Sequence, residues 1–232
     1  MHHARGVLRQ ANQLRADLQK YGGGLRGHLR VFANTTAVTD FLPEILPGYL
    51  ADNPKINTDL QENPNAEIAR GVLDGRADIG IVAGKIDTPG LQTIRFSADR
   101  LVLTVAKNHR FARRKSIAFA ETLDEDVVGM QQGSTLQTFL AQVVDALGKP
   151  LKLRIQLSSF DTICRMIGAG AGIVPESAVS RNQVAAVIAL VKLSDAWSVR
   201  GRFILARDRN ALPRYAESQI ETLCAHYRDA AK

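Results

Sequence analysis

Residues 158–175 read SSFDTICRMIGAGAGIVP and predict a polar turn, a short amphipathic helix, a glycine-rich stop and a buried strand. Ser158 or Ser159 is expected to cap the helix, because a hydroxyl oxygen satisfies an open N–H group of the first turn. Gly168 and Gly170 let the backbone leave the helix and approach its neighbours. A helix that begins at the edge of a parallel sheet offers its N-terminus to anions, although such a unit also occurs as plain helix–strand packing.

The sequence around this stretch alternates between strand and helix patterns. Short apolar or alternating runs predict strands, and apolar residues spaced by three and four predict the helices between them. The predicted strands cover residues 29–33, 56–62, 78–84, 101–106, 127–130, 154–157 and 202–206. This order predicts an α/β protein of two Rossmann-like lobes, with chain crossovers and a cleft at the carboxyl ends of the strands. We place the first lobe at 25–94 and 196–232, and the second lobe at 95–195.

The residues before the first predicted strand indicate a helix of a different kind. Val7, Ala11, Leu14 and Leu18 follow one another at alternating spacings of four and three, the a/d pattern of helices that pair. Two heptads do not establish a coiled coil. Residues 1–24 are therefore interpreted either as part of a longer dimerisation helix or as a helix packed on its own domain.

The net charge of +7 raises the possibility of nucleic-acid binding, but the basic residues are dispersed along the chain. No aromatic residues alternate with them to form a stacking surface, so a solvated basic surface is the better interpretation. No run approaches the roughly 20 apolar residues of a membrane helix, and the N-terminus has no apolar core of an export signal. Cys164 and Cys224 lie far apart and fit free thiols in a reducing compartment. These features predict a cytoplasmic protein without membrane contact.

Common catalytic motifs are missing from the sequence. Its five histidines show no metal-ligand spacing with carboxylates or cysteines, and there is no nucleophile elbow, P-loop or Cys-x-x-Cys motif. The glycines at 168–172 precede a strand instead of opening a helix, which is the wrong context for a dinucleotide site. We therefore expect no enzymatic activity, no metal and no cofactor.

Four segments, taken in order, resemble a known family. They are LRGHLRV at 25–31, the helix and strand at 65–84, the strand and turn at 101–111, and the glycine-rich stretch at 167–175. Together they resemble the effector-binding region of LysR-type transcriptional regulators. The resemblance implies a periplasmic-binding-protein-like type 2 fold, with a small-molecule cleft between two lobes and a partial linker helix before them. The family's winged helix-turn-helix is absent from this chain, so the chain is expected to begin within the linker helix.

The resemblance also implies a function and partners. We expect the chain to bind a small polar or anionic effector, to form a dimer or tetramer, and to reach operator DNA through the missing winged-helix domain. The main alternative is a solute-binding protein of a transporter, which shares the two-lobed fold but carries an export signal. A fold-related enzyme is a third alternative, and it would need a catalytic cluster that the sequence does not show.

Effectors in this family contact the turns that follow the strands. The matching positions here are Thr35, Thr36, Asn65, Ala83, Gly84, Gln131, Gln132, Ser134, Phe160 and Pro175. Thr36 fits either an effector contact or a plain helix cap, and Asn65 is also a good helix cap. Phe160 fits either a pocket wall or the core. Since no arginine lies clearly at these turns, helix N-termini are expected to recognise an anionic effector.

Overall fold

The computed structural model describes residues 27–84, 86–180 and 187–229. The predicted dimerisation helix lies outside the described residues, together with Val7, Ala11, Leu14 and Leu18. No helix within the described ranges is both long enough and apolar enough to cross a membrane.

The strands and helices follow the order that the periodicity predicts. The strands are β1 (Gly27–Ala33), β2 (Ile56–Glu62), β3 (Ile79–Ala83), β4 (Gln92–Ala106), β5 (Ser116–Ile117), β6 (Asp126–Met130), β7 (Lys152–Leu157), β8 (Gly172–Pro175), β9 (Ile188–Leu193) and β10 (Val199–Ala206). The α-helices are α1 (Leu42–Asp52), α2 (Asn65–Leu73), α3 (Thr135–Leu147), α4 (Phe160–Arg165), α5 (Glu176–Ser180) and α6 (Arg214–Asp229). A π-helical turn at Ala37–Phe41 leads directly into α1.

The first lobe is a mixed sheet with helices on both faces. Its strand order is β2-β1-β3-β10-β4, in which β1 is parallel to β2 and β3, and β10 is antiparallel to β3 and β4. Successive side chains of a strand point to opposite faces. Accordingly, Val31 packs in a core with Phe41 and Ile220, whereas its neighbour Phe32 packs in a second core with Ile68. Both faces of β1 are therefore buried at its carboxyl end.

The second lobe surrounds a single large core. In this lobe β4 pairs antiparallel with β8 and β9, and β6 pairs parallel with β7. A parallel bridge between Val127 and Ala171 joins β6 to the residue just before β8. Buried residues of β4, β6, β8 and β9 form one cluster with Leu140 of α3 and Ile163 of α4, and the partly buried Ile155 and Leu157 of β7 pack against it. The predicted architecture of two α/β lobes is thus confirmed.

One long strand runs through both lobes. Residues 92–100 of β4 pair with β10, whereas residues 101–106 pair with β8 and β9. The strand predicted to start at Leu101 is therefore too short, because it begins at Gln92. The chain crosses again where β9 leads through a short 3-10 turn, Ala196–Ser198, into β10.

The stretch 158–175 forms the predicted elements, with one local difference. Ser159 occupies the position before α4, but its side chain makes no capping hydrogen bond, so the expected serine cap is wrong. The close backbone approach is confirmed at Gly170, where an added Cβ would lie 2.3 Å from the carbonyl oxygen of Asp126. The next amide, Ala171 N–H, donates to that same carbonyl oxygen at 2.8 Å. Glycine is therefore required where the chain joins the edge of β6.

Candidate functional site

A small cavity lies between the lobes, at the ends of strands from each. It is lined by Asn34, Thr35, Thr36, Met130, Ser134, Thr135, Leu136, Phe160 and Arg200. The cavity volume is about 10 Å³, which is room for about one water molecule. A larger ligand therefore requires a movement of the lining side chains or of the lobes.

The wall from the first lobe is the start of the helix that follows β1. Asn34 caps this helix, because its Oδ1 accepts a hydrogen bond from Ala37 N–H at 3.0 Å. The Thr35 hydroxyl donates to Glu62 Oε1 at 2.6 Å. The Thr36 hydroxyl makes no cap hydrogen bond and has no hydrogen-bond partner among the described residues. Capping is thus done by Asn34, which leaves the Thr36 hydroxyl available at the cavity.

The wall from the second lobe is the start of α3. Ser134 caps this helix, since its Oγ accepts from Gln137 N–H at 3.2 Å. Gly133 precedes it with φ +84°, a left-handed conformation that favours glycine. Thr135 Oγ1 accepts a hydrogen bond from Asn65 N–H of the first lobe at 3.1 Å. The two lobes are therefore in direct contact beside the cavity.

The remaining lining is apolar. Met130, Leu136 and Phe160 are buried and belong to the core of the second lobe. Phe160 is 2% exposed and lines the cavity. It is therefore both a core residue and part of the pocket wall, the two roles that the sequence left open. The cavity therefore has a polar side and an apolar side.

Arg200 is a lining residue that sequence reasoning missed. Its guanidinium lies 4.8 Å from the centre of the Phe139 ring, and Nη2 donates to the Ala83 carbonyl at 2.8 Å. Its Nε is enclosed and has no hydrogen-bond partner in the part of the chain that the structure describes. Burial lowers the pKa of Arg200 to about 10, and the nearby Asp99 carboxylate opposes this shift. The sequence alone did not point to Arg200, because this residue belongs to β10, and only the tertiary fold brings β10 to the cleft.

Three predicted residues lie behind the cavity lining. Asn65 is the first residue of α2 instead of its cap, and its Nδ2 donates to the Ala83 carbonyl at 2.8 Å. Gly84 has φ +84°, and a Cβ there would lie 2.6 Å from Nη2 of Arg200. Ala83 and Gly84 thus position the arginine, and the Asn65 side chain is engaged in holding the end of β3.

The other predicted residues fall into two groups, those that line the cavity and those that do not. Thr35, Thr36, Ser134 and Phe160 line the cavity together. Gln131 and Gln132 lie in the exposed turn before α3, outside the lining. Pro175 is buried in β8 opposite Leu101, also outside the lining. The turn after β6 therefore contributes its last residue, Ser134, to the cavity, while its glutamines face solvent.

A second polar group lies where the chain crosses between the lobes. We call Asp40, Asp99, Ser177 and Arg202 the crossing network. Nη2 of Arg202 donates to Oδ2 of Asp99 at 2.6 Å, to Oδ2 of Asp40 at 3.2 Å and to Oγ of Ser177 at 3.0 Å. The Ser177 hydroxyl is also within hydrogen-bond distance of both carboxylates. Each charged side chain here has an opposite charge in contact.

The described residues hold no group of three or more His, Cys, Asp or Glu side chains that could bind a metal ion. Burial raises the pKa of the Cys164 thiol to about 11, with a further contribution from the Asp161 carboxylate. Burial also raises the pKa of Cys224. Because the thiolate is the reactive form, neither thiol is activated as a nucleophile.

Comparison with known proteins identifies relatives over most of the chain. The family model described as LysR substrate binding domain matches residues 22–228. A probable RuBisCO transcriptional regulator of Phaeodactylum tricornutum is 25% identical over 197 residues, which are 81% of this chain and 64% of the relative. The chain thus spans less than two thirds of that relative's length.

Two solved structures share the fold. The regulatory domain of CcmR from Synechocystis, in complex with 2-PG, matches with a TM-score of 0.75 and 19% identity, covering 87% of this chain and 97% of that one. The BenM effector binding domain with its effector benzoate matches with a TM-score of 0.74 and 19% identity, covering 90% and 95%.

Proposed function

The chain belongs to the LysR substrate-binding domain family, and from this premise we propose that it is the effector-binding core of a transcriptional regulator. Its ligand is a small polar or anionic metabolite that occupies the cavity between the lobes. The observation that supports this proposal most directly is the pairing of two helix starts, one from each lobe, across a cavity lined by the Thr36 hydroxyl, which makes no hydrogen bond to any described residue. Such helix starts provide N–H donors and a positive partial charge.

The size of the cavity supports a link between binding and lobe movement. A volume of about 10 Å³ does not admit an organic metabolite while the Asn65–Thr135 hydrogen bond holds the lobes together. The ligand would therefore favour an arrangement in which the lobes are differently spaced. A ligand shifts such an equilibrium by the difference between its affinities for the two arrangements. In the full regulator this shift would reach the DNA-binding domain.

The comparisons favour an organic anion as the ligand class. The CcmR domain was solved with 2-PG and the BenM domain with benzoate. The alternative of a transporter's solute-binding protein has the same fold, but the family match favours the regulator. Three further parts of the proposal rest on the sequence alone: assembly through the helix predicted at residues 1–24, the lobe boundaries near residues 94 and 195, and a cytoplasmic location.

A thermal-shift screen of this chain against organic acids, amino acids, sugars and inorganic anions tests the proposed function. A ligand at 100 times its dissociation constant stabilises the folded state by about 2.7 kcal/mol, which is a clear rise in melting temperature. Thr36→Val should weaken binding of a hit about tenfold, because it removes a hydrogen bond to a polar or charged group. If no compound of the four ligand classes raises the melting temperature, the proposal is contradicted.

The matched control is Thr39→Val, on the same helix but outside the cavity. Its hydroxyl is exposed and donates to the Thr35 carbonyl at 2.8 Å. The control variant should bind the hit with unchanged affinity. If both variants lose affinity equally, the effect comes from the helix and the site assignment fails.

A further inference from the structure

Arg200 is a cation without an ion-pair partner among the described residues. Among the described residues, no carboxylate lies within 4.0 Å of its guanidinium, which donates to the Ala83 carbonyl, faces the Phe139 ring and lies 2.6 Å from where a Cβ on Gly84 would be. Arg202, two positions along β10, has the carboxylates of Asp40 and Asp99 in direct contact. A buried charge is unfavourable unless an opposite charge or hydrogen bonds compensate it. Arg200, which lines the cavity, therefore has a hydrogen bond but no opposite charge in contact among the described residues, whereas Arg202 has both.

The cavity also restricts how much negative charge a ligand brings. Thr35 donates its hydroxyl proton to Glu62, so a carboxylate already lies at this edge of the site. A second negative charge on the ligand would lie near Glu62 and be repelled. The donors that remain are the Arg200 Nε–H and the hydroxyls of Thr36 and Ser134. These groups suit one carboxylate, because a hydrogen bond from a guanidinium N–H to a carboxylate is charge-assisted and stronger than a neutral one.

The side of the cavity opposite Arg200 determines the polarity of the remaining part of the ligand. Met130, Leu136 and Phe160 are all buried and present apolar surface to the cavity. They offer no group that would pair with a second polar function. A ligand with its carboxylate at Arg200 would therefore place an apolar portion against these three side chains.

We infer that Arg200 is the charge-recognising residue of the effector site and that the effector is a small monocarboxylic acid with an apolar body. This inference rests on the proposed function of the same cavity. Phe139 supports the guanidinium from one side and Gly84 from another, so the arginine is held in place before the ligand binds. Such preorganisation improves affinity because less side-chain freedom is lost on binding.

The test uses matched pairs of ligands that differ in charge. The probes are butyrate, hexanoate and benzoate, each with its neutral amide, together with the dianions succinate and phthalate. Binding is measured by calorimetry to the whole chain and to Arg200→Gln. The monocarboxylates should bind the unmodified chain, their amides should bind at least tenfold more weakly, and Arg200→Gln should remove this difference.

Two further variants separate recognition from folding. Arg207→Gln removes the same charge from an exposed position just beyond the end of β10 and should bind every probe as the unmodified chain does. Arg200→Lys keeps the charge but loses the planar edge, so it should retain a preference for acid over amide at reduced affinity. It also keeps the inference testable if Arg200→Gln fails to fold.

The failures of the two proposals are distinguishable. Equal binding of acids and amides, or full affinity in Arg200→Gln, would overturn the role of Arg200 and leave the effector cavity intact. Tighter binding of the dianions would overturn the single-charge assignment. If none of these probes binds, the monocarboxylate inference fails. The proposed function fails as well if no sugar, amino acid or inorganic anion of the wider screen raises the melting temperature.

Discussion

The cavity and the crossing network are both polar regions between the lobes, and they use the same residue types differently. In the crossing network, Arg202 contacts two carboxylates and a hydroxyl within 3.2 Å. In the cavity, Arg200 contacts a carbonyl oxygen and an aromatic ring, and the Thr36 hydroxyl has no partner among the described residues. Removing one partner of a compensated buried pair is costly, whereas a charged group without an opposite charge is available to a ligand. The two arginines thus differ in the presence of a carboxylate in contact, not in residue type.

The largest expected effect comes from breaking the crossing network. Arg202→Leu leaves the carboxylates of Asp40 and Asp99 facing each other in a buried region. Loss of one partner from a buried ion pair costs about 3–5 kcal/mol, so the urea midpoint of unfolding should fall sharply. Arg200→Leu should change the free energy of unfolding by less than about 1 kcal/mol, since no ion pair is lost. Equal destabilisation by the two substitutions would refute the contrast between the regions.

An intermediate effect is expected from the glycine beside Arg200. Gly84→Ala places a Cβ 2.6 Å from Nη2 of Arg200, at a residue with φ +84°. Backbone strain alone costs about 1–3 kcal/mol, and the clash adds a displacement of the guanidinium. We expect both lower stability and weaker binding of a monocarboxylate, measured by urea unfolding and calorimetry.

Gly133→Ala is the matched control for that substitution. Gly133 has the same φ, +84°, but no atom lies within 4 Å of its added Cβ. It should therefore show the strain cost without a clash. If the two alanine variants lose stability and affinity to the same extent, the contact between Gly84 and Arg200 has no role in binding.

The smallest expected effect is a pH dependence of affinity. The charged form of Arg200 binds the carboxylate, and its pKa of about 10 lies below the ordinary value of 12.5. Affinity should stay constant from about pH 7 to pH 9 and decrease as pH rises through 10, where half of the guanidinium is uncharged and Kd is about doubled. Calorimetric titrations at several pH values measure this change. Arg200→Gln should show no such dependence, and a constant Kd up to pH 11 in the unmodified chain would argue against the assignment.

The sequence was sufficient for most of the fold, because local periodicity reports local structure. The strands around Val31, Ile81 and Val128 are short and apolar, and the structure has all three. The first half of β4 was missed because polar residues such as Ser97 and Asp99 interrupt its apolar pattern. β9 was not predicted, since an apolar run such as Ile188–Leu193 fits a helix as well as a strand.

Residues of the site could be predicted only where they directly follow the end of a strand. Thr35, Thr36 and Ser134 come at such ends, and all three line the cavity. Arg200 was counted among the dispersed basic residues, because its position depends on the antiparallel pairing of β10 with β3 and β4. That pairing joins residues about 100 or more positions apart, which no local pattern reports. For that reason the sequence alone identified no arginine at the turns, since its patterns relate only residues that are close together in the chain.

The sharing of β4 between the lobes has a mechanical consequence. At about 3.3 Å per residue, its 15 residues form a rod of about 50 Å. Its first half is clamped by β10, its second half by β8 and β9, and the clamps change between Arg100 and Leu101. Any change in the relative position of the lobes must therefore be accommodated within β4, where its partner strands change, and at the second connection through Ala196–Ser198.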